Sequence, residues 1–300
     1  MQWRLLVDEP TDGVRNMAID EMLFLSSSRT GAIPTVRLYR FRRPTITLGH
    51  NQTARDAVDL EACAARGIEC VRRITGGRAL LHHHELTWSV TSPTTGAFSG
   101  LSVRGIYMAV NEVFRKACAR FGVPLDPKGA LSVTDTRPHP PSSLPCLATP
   151  TAHEITSSGR KLVPSAMRRN RLSFLHHGAL LFAVDSELWS KVKSPSAPED
   201  LEGIGVWQLV TKPPTAEAVN ELIRSCFEEL FSARESADAL TAWELSQLPG
   251  LEEKIRARSF SLQDANVLTT RKPFGKPYLA TYRSRIPPLR GIAGDGPHRT

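Results

Sequence analysis

Residues 71–90 could form a site that binds negative charge. Gly76 and Gly77 lie between two runs that read as strands, and Arg73 and Arg78 flank them. Glycine lets the backbone approach a ligand closely because no Cβ intervenes, and successive N–H groups at such a turn can bind an anion or an oxyanion. A hairpin turn with solvated arginines would give the same pattern, so this stretch alone indicates only a candidate.

A second stretch brings a cysteine near a lysine in the sequence. Residues 124–145 are rich in proline, serine and threonine, which predicts a long loop that ends at Cys146. After it, Ser157-Ser158-Gly159 predicts a turn that leads back to Lys161. A thiol at the end of a loop can reach into a pocket, and a nearby cation raises its thiolate fraction. A lone cysteine is more simply explained by packing and a lone lysine by solvation.

Three consecutive histidines, His82, His83 and His84, raise the question of a metal. In a strand, His82 and His84 would share a face. A catalytic zinc ion needs at least three well-placed protein ligands. No further cysteine, histidine or carboxylate set completes a site at recognisable spacing, so we predict no metal.

Composition sets the class of protein. The 300 residues are 41% hydrophobic, which is enough for a substantial core. The formal charge of +8 suits acidic partners. The N-terminus does not resemble a signal peptide and the apolar runs are too short to span a bilayer, so we expect a cytoplasmic protein without membrane contact. The five cysteines are irregularly spaced, as is typical of a reducing compartment.

Periodicity predicts alternating strands and helices. Strands are expected at residues 3–8, 36–41, 45–49, 68–74, 85–90 and 174–182. A helix should begin after Asp12, with Val14 and Met22 on its apolar face and Asn16, Asp20 and Glu21 facing elsewhere. Further helices are expected at residues 59–66, 103–121, 215–232, 239–247 and 251–258. Residues 271–300 are basic and rich in proline and glycine, which predicts a disordered tail.

The residues and spacing of these two motifs resemble those of the lipoate–protein ligase and octanoyltransferase family, and most closely its cysteine-dependent octanoyltransferase branch. The first stretch matches through Arg72, Arg73, Thr75, Gly76, Gly77 and His82. The second matches through Cys146, Glu154, Ile155, Gly159, Arg160, Lys161, Ser165 and Ala166. The chain departs from the family pattern at His83, where an Asp is common, at Pro164 in place of Gly, and at Met167 in place of Gln.

The resemblance implies an α/β fold with a mixed sheet flanked by helices, like the catalytic domain of biotin and lipoate ligases. It would span residues 1–255, with a core at 3–190 and a helical extension at 191–258. It also implies that Cys146 is the acyl-accepting nucleophile and Lys161 the essential lysine. The implied substrate-binding residues are Arg73, Thr75, Gly76, Gly77, Arg78, Ala79, His82, Ser165, Ala166, His177, Gly178 and Ala179.

The implied reaction moves an octanoyl group from octanoyl-acyl carrier protein to Cys146, and then to a lysine of an apo lipoyl domain, with glycine cleavage H protein as the expected acceptor. No cofactor or ATP is expected, because the starting thioester is already activated. An ATP-dependent lipoate–protein ligase and a lipoyl-domain-to-lipoyl-domain octanoyl amidotransferase are the alternatives among enzymes. A nucleic-acid-binding protein would explain the charge, but the chain has no recognition-helix signature.

Overall fold

The computed structural model describes residues 2–127, 146, 154–197, 201, 203–232 and 234–259. Among these residues, the main sheet has six strands in the order β11 (Arg234–Ala237), β1 (Gln2–Val7), β2 (Thr35–Tyr39), β6 (Glu85–Pro93), β10 (Ser173–Leu181) and β9 (Ser165–Arg169). The first three strands are parallel to one another, and the other pairs are antiparallel. The predicted mixed sheet is therefore confirmed.

Alternation along the strands gives the main sheet one dry face and one polar face. On the dry face, Leu38, Trp88 and Phe174 join a large apolar cluster. Helices α4 (Val103–Arg120) and α6 (Ala216–Phe231) pack against this cluster. The intervening residues point to the opposite face. There the same strands present polar side chains: Arg37, Tyr39, Thr87, Ser89 and His177.

A smaller sheet and helix α1 (Gly13–Ser26) cover the polar face. The small sheet has β3 (Thr45–Leu48) at its centre, with β4 (Glu69–Arg72) parallel on one side and β5 (Leu80–His82) antiparallel on the other. Short helices α2 (Ala54–Ala57), α3 (Leu60–Ala65) and α5 (Ser186–Ser190) lie near it. The glycine stretch therefore does not close a hairpin, because it crosses from one edge of the small sheet to the other.

Helix α1 differs from the sequence interpretation. Asp12 caps it as predicted, accepting a hydrogen bond from the Arg15 N–H at 2.8 Å. However, Asn16, Asp20 and Glu21, which we expected to face away from the core, are all buried. The helix has two buried sides because it lies between the main sheet and helix α7 (Ala242–Ser259). Its polar residues are therefore part of the interior of the protein.

The C-terminal part was also predicted incompletely. The two short helices expected at 239–247 and 251–258 are one helix, α7, that continues through Pro249. The helix continues across the gap between the two predicted helices because Leu248, Leu251 and Ile255 are buried against α1. Strand β11, which the sequence did not predict, extends the main sheet beside β1. The predicted loop from residue 128 and the predicted tail lie outside the described residues.

A hairpin completes the part of the fold that bears on the site. Strands β7 (Ile155–Ser157) and β8 (Arg160–Val163) are joined at Ser158 and Gly159, both with positive φ. This confirms the predicted turn before Lys161. Among the described residues, no helix is long and apolar enough to cross a membrane.

Candidate active site

A pocket of about 430 Å³ lies between the polar face of the main sheet and the small sheet. Its wall combines residues from α1 and from both sheets with Cys146. The lining residues are Met17, Tyr39, Thr47, Arg73, Gly77, Leu80, His82, Thr87, Cys146, Pro164, Ser165, Ala166, His177 and Gly178.

Arg73 holds the glycine loop in place from inside the protein. Its guanidinium is buried, and it donates to the carbonyl oxygens of Gly76 at 2.9 Å and Arg78 at 2.8 Å. It also donates to the carbonyl oxygen of Thr47 and to the hydroxyls of Thr47 and Thr75. These contacts use all five N–H groups of the side chain. Arg73 therefore acts on the pocket through its charge and by shaping the loop.

The glycines of this loop are required by contacts and backbone angles. Gly77 has φ +91°, which side chains other than glycine rarely tolerate. A Cβ on the neighbouring Gly49 would lie 1.9 Å from the Gly77 carbonyl oxygen. Two segments therefore pass each other here at a distance that only glycine permits.

A chain of hydrogen bonds runs from Arg73 through His177 to helix α1. The Thr75 hydroxyl accepts from Arg73 Nε at 3.1 Å and contacts His177 Nε2 at 2.7 Å. His177 Nδ1 lies 2.9 Å from Asp20 Oδ2. A carboxylate can only accept, so Nδ1 carries the proton and Nε2 accepts from Thr75. The tautomer of His177 follows from its neighbours.

Asp20 is the fixed end of this chain. Its carboxylate accepts hydrogen bonds from Arg37, Tyr39, Ser89 and His177, each at 2.9 Å. Burial raises the pKa of Asp20, but the hydrogen bond from His177 and the charge of Arg37 outweigh it, so the pKa lies below its ordinary value. Burial also lowers the pKa of His177 despite Asp20, which keeps the imidazole neutral.

A second chain of the same kind leaves Arg73 in another direction. Arg73 Nη1 donates to the Thr47 hydroxyl at 3.1 Å, and that hydroxyl lies 3.0 Å from His82 Nε2. His82 Nδ1 lies 3.0 Å from Glu85 Oε1. Two hydroxyl–imidazole–carboxylate chains thus converge on one guanidinium. Both imidazoles line the pocket, so the pocket wall is polar and rigid on this side.

Cys146 lines the pocket beside Arg73. Its N–H donates to the carbonyl oxygen of Ala79 at 2.8 Å, which fixes it against the glycine loop. Apolar side chains of Leu80, Ala179 and Leu181 pack around it. The Cys146 thiol and the glycine loop, which we predicted from separate stretches of the sequence, therefore meet in one wall of the pocket.

Lys161 lies next to Cys146 but behind the pocket wall. Its side chain is buried, and its Nζ lies 2.9 Å from the Glu154 carboxylate and donates to the Cys146 carbonyl oxygen. The family resemblance implied that Lys161 is the essential lysine. In the structure its charge is paired with Glu154, whose role the sequence did not predict.

Strands β9 and β10 close the far side of the pocket. Ser165 and Ala166 line it, and the Ser165 Oγ has no hydrogen-bond partner among the described residues. Gly178 also lines it, but a Cβ there would lie 2.5 Å from the Pro164 carbonyl oxygen. Gly178 therefore makes room for the neighbouring backbone.

The structure gathers most of the predicted site. Arg73, Gly77, His82, Cys146, Ser165, Ala166, His177 and Gly178 line the pocket, while Lys161, Thr75, Gly76, Arg78, Ala79 and Ala179 do not. Of the latter, Thr75 and Ala79 hold lining residues through hydrogen bonds. Sequence reasoning did not assign Met17, Tyr39, Thr47, Leu80, Thr87 and Pro164 to the site. For Thr47 and Thr87, the alternation of their strands could have predicted that their side chains face the pocket.

Two histidines next to the site have different surroundings. His176, adjacent to His177, points to the dry face between Trp88 and Tyr107. Neither ring nitrogen of His176 has a hydrogen-bond partner among the described residues, and burial, with the nearby His177, lowers its pKa to about 3. His83 turns away from His82 and meets Asp185 at 2.8 Å.

The sequence matches a known catalytic domain. Residues 12–211 match the lipoyl protein ligase A/B catalytic domain. The chain belongs to this family. Among its relatives, octanoyltransferase LipM of Kyrpidia tusciae is 34% identical over 255 residues, which are 81% of this chain and 92% of the relative. Octanoyltransferase LipM of Moorella thermoacetica is 31% identical over 268 residues, or 85% and 96% of the two chains. The chain is therefore an enzyme, an acyltransferase, as the resemblance implied.

Solved structures of the family share the fold. Lipoate-protein ligase A bound with ATP superposes with a TM-score of 0.71 at 24% identity, covering 89% of this chain and 100% of that one. The bipartite lipoate protein ligase of an archaeal lipoylation system from Thermoplasma acidophilum gives a TM-score of 0.70 at 22% identity, covering 91% and 99%. At these identities the likeness concerns the fold, and it confirms the predicted class.

Proposed function

We propose that this chain transfers octanoyl groups in protein lipoylation through a thioester on Cys146. Octanoyl transfer is the activity named for its LipM relatives, which it matches over most of their length. The observation that supports the covalent route is the position of Cys146, whose backbone is fixed against the glycine loop in the wall of the pocket. A thiol placed there can reach a carbonyl held in the pocket.

In the first step, the Cys146 thiolate attacks the thioester carbonyl of octanoyl-acyl carrier protein. A bond from the carbonyl carbon to Sγ forms, the bond to the carrier sulfur breaks, and the carrier leaves as its thiol after taking up a proton. In the second step, the neutral amine of an acceptor lysine attacks the Cys146 thioester. An amide forms, the bond to Sγ breaks, and the amine proton is released. Both steps pass through an oxyanion, which the Gly76–Arg78 backbone would stabilise under the charge of Arg73.

The acceptor is an apo lipoyl domain, and we expect glycine cleavage H protein to be the physiological one. The archaeal relative of known structure acts with an E2 lipoyl domain, which agrees with an acceptor of this class. Covalent catalysis suits such a reaction, because two large protein partners then use the same pocket in turn. The reaction needs no ATP, metal or other cofactor, since a thioester is already activated.

ATP independence separates this function from that of a lipoate–protein ligase. Purified protein, treated with apyrase to remove nucleotide, is mixed with octanoyl-acyl carrier protein and apo H protein. We expect the mass of the H protein to increase by one octanoyl group. A product formed only from free octanoate with Mg-ATP would place the chain among the ligases, and transfer only from an octanoylated lipoyl domain would make it an amidotransferase.

A further inference from the structure

A cluster of two histidines and a carboxylate lies outside the acyl pocket. His83, His84 and Asp185 each offer one ligand atom, and these three atoms lie within 4.8 Å of one another. His83 Nδ1 is 2.8 Å from Asp185 Oδ2, and the two imidazole rings are stacked with centroids 3.8 Å apart. All three residues are half-buried, so the cluster is open to solvent on one side.

The backbone holds both halves of this cluster. The His83 N–H donates to Glu85 Oε2 at 2.8 Å, and the His84 carbonyl oxygen accepts from the Phe182 N–H at 2.8 Å. On the other half, Asp185 Oδ1 caps helix α5 by accepting from the Leu188 N–H at 2.8 Å. The second carboxylate oxygen therefore points to His83 from a fixed position.

The spacing of the three ligand atoms suits a metal ion. His83 Nδ1 faces Asp185 Oδ2, and the imidazole tautomer that carries its hydrogen on Nε2 has its Nδ1 lone pair free for an ion. Ligand atoms around tetrahedral zinc lie ~3.3 Å apart. His83 and Asp185 therefore need to separate slightly from 2.8 Å, and ligand atoms that lie further apart, within the 4.8 Å limit of the cluster, need to move closer.

We propose that His83, His84 and Asp185 bind a divalent transition-metal ion at this junction, with water in the remaining position. Two imidazoles and one carboxylate favour zinc, nickel, cobalt or copper over magnesium or calcium, which prefer oxygen ligands. His82 is not part of the site, because Thr47 and Glu85 occupy its two nitrogens. The sequence offered no third ligand near the histidines, because Asp185 follows a hundred residues later.

The bound ion would join the β5–β6 bend to the start of α5 next to the pocket. The proposed acyl transfer does not pass through it, so the site is tested by binding and not by activity. The full chain without a polyhistidine tag is stripped with EDTA and titrated with zinc chloride by calorimetry. We expect one equivalent to bind to the wild-type protein. Cobalt should bind at the same site and give a visible d–d spectrum without a sulfur charge-transfer band, since no thiol takes part.

Matched variants decide the location. Asp185→Asn keeps an oxygen that can cap α5, and His84→Gln keeps a polar side chain, yet each should weaken zinc binding about tenfold or more. His50→Gln removes an exposed histidine elsewhere and should bind like the wild type. The proposal is overturned if no equivalent binds, if both site variants bind zinc unchanged, or if cobalt shows a thiolate band that Cys146→Ser removes.

Discussion

At the scale of single residues, the site is organised around Arg73. Its guanidinium makes no ion pair with a carboxylate among the described residues, and the imidazoles of His177 and His82 lie between it and the carboxylates of Asp20 and Glu85. A buried cation that makes no ion pair with a carboxylate stabilises negative charge that develops nearby. Lys161 is less suited to this role, because Glu154 already neutralises it. We therefore expect Arg73 to stabilise the thiolate and the oxyanion. This stabilisation should also depend on the two imidazoles, which hold the threonine hydroxyls that contact Arg73.

His177 and His176 allow this dependence to be tested on adjacent residues. His177→Leu removes the acceptor of the Thr75 hydroxyl and breaks the hydrogen-bond chain that links Arg73 to Asp20. Displacement of reacting groups by a fraction of an ångström to about 1 Å can cost about a hundredfold in rate, so we expect a loss of that order in octanoyl transfer. Initial rates at saturating carrier protein measure it, with circular dichroism as the check on folding.

His176→Leu is the control, because the His176 ring faces away from the pocket and its nitrogens make no hydrogen bond among the described residues. It should keep the transfer rate and change the acid stability. His176 has a pKa of about 3 when folded and ~6.5 when unfolded, so the unfolded state binds the proton first as the pH falls. Protonation of His176 in the unfolded state therefore lowers the free energy of unfolding as the pH falls below about 6.5, and the decrease is about 2 kcal/mol at pH 5. Urea unfolding at pH 7 and pH 5 should show a smaller decrease for His176→Leu; an equal decrease would contradict this.

At the scale of elements, strand β9 separates two kinds of arginine. Arg168 shares a strand face with Ala166, which lines the pocket, and donates to the Ile74 carbonyl oxygen at 2.8 Å beside the glycine loop. Arg169 shares the opposite face with Met167 and donates to the Leu101 carbonyl oxygen. Strand alternation therefore places Arg168 and Arg169 on opposite faces of β9, and Arg168 is the one that contacts the segment leading into the glycine loop.

We expect Arg168→Glu to slow the reaction with octanoyl-acyl carrier protein. Carrier proteins are typically acidic, and rim charges mainly steer encounter, with an influence that weakens as the Debye length falls from about 10 Å at 0.1 M salt to about 3 Å at 1 M. The second-order rate should therefore fall at low salt and recover at high salt. Arg169→Glu is the matched control and should have the smaller effect.

A small neutral octanoyl thioester tests the interpretation of this result. It has no acidic surface, so its rate should be little changed by Arg168→Glu. An equal loss with both substrates would mean that Arg168 shapes the loop through Ile74, and equal effects of the two arginine variants would show that the strand face is irrelevant.

At the scale of the whole molecule, local patterns predicted the elements and distant contacts decided the site. The Asp12 cap, the strands predicted at 85–90 and 174–182, the helix predicted at 103–121 and the turn at Ser158 and Gly159 are all properties of short segments, and each is confirmed. The contacts of His177 with Asp20 and of His83 with Asp185 join residues 157 and 102 positions apart. No local periodicity encodes such pairs, so sequence reasoning assigned no role to Asp20 and did not pair His83 with a distant carboxylate.

The surroundings of the cysteines bear on the central claim. Burial raises the pKa of Cys118 to about 12 and also raises that of Cys226, so both remain protonated thiols at neutral pH. Cys63 is buried in the cluster under the small sheet, and Cys70 packs against it. Cys146 is the cysteine that lines the pocket. We therefore expect a single reactive thiol among the five cysteines.

The most direct measurement is the intact mass of the protein after mixing with octanoyl-acyl carrier protein alone. The account predicts an increase of one octanoyl group that hydroxylamine removes and that apo H protein discharges. Cys146→Ala should form no such adduct, whereas Cys63→Ala, Cys70→Ala, Cys118→Ala and Cys226→Ala should each form it. A hydroxylamine-labile octanoyl adduct on the Cys146→Ala protein, or transfer to H protein at the wild-type rate by that variant, would contradict the covalent mechanism.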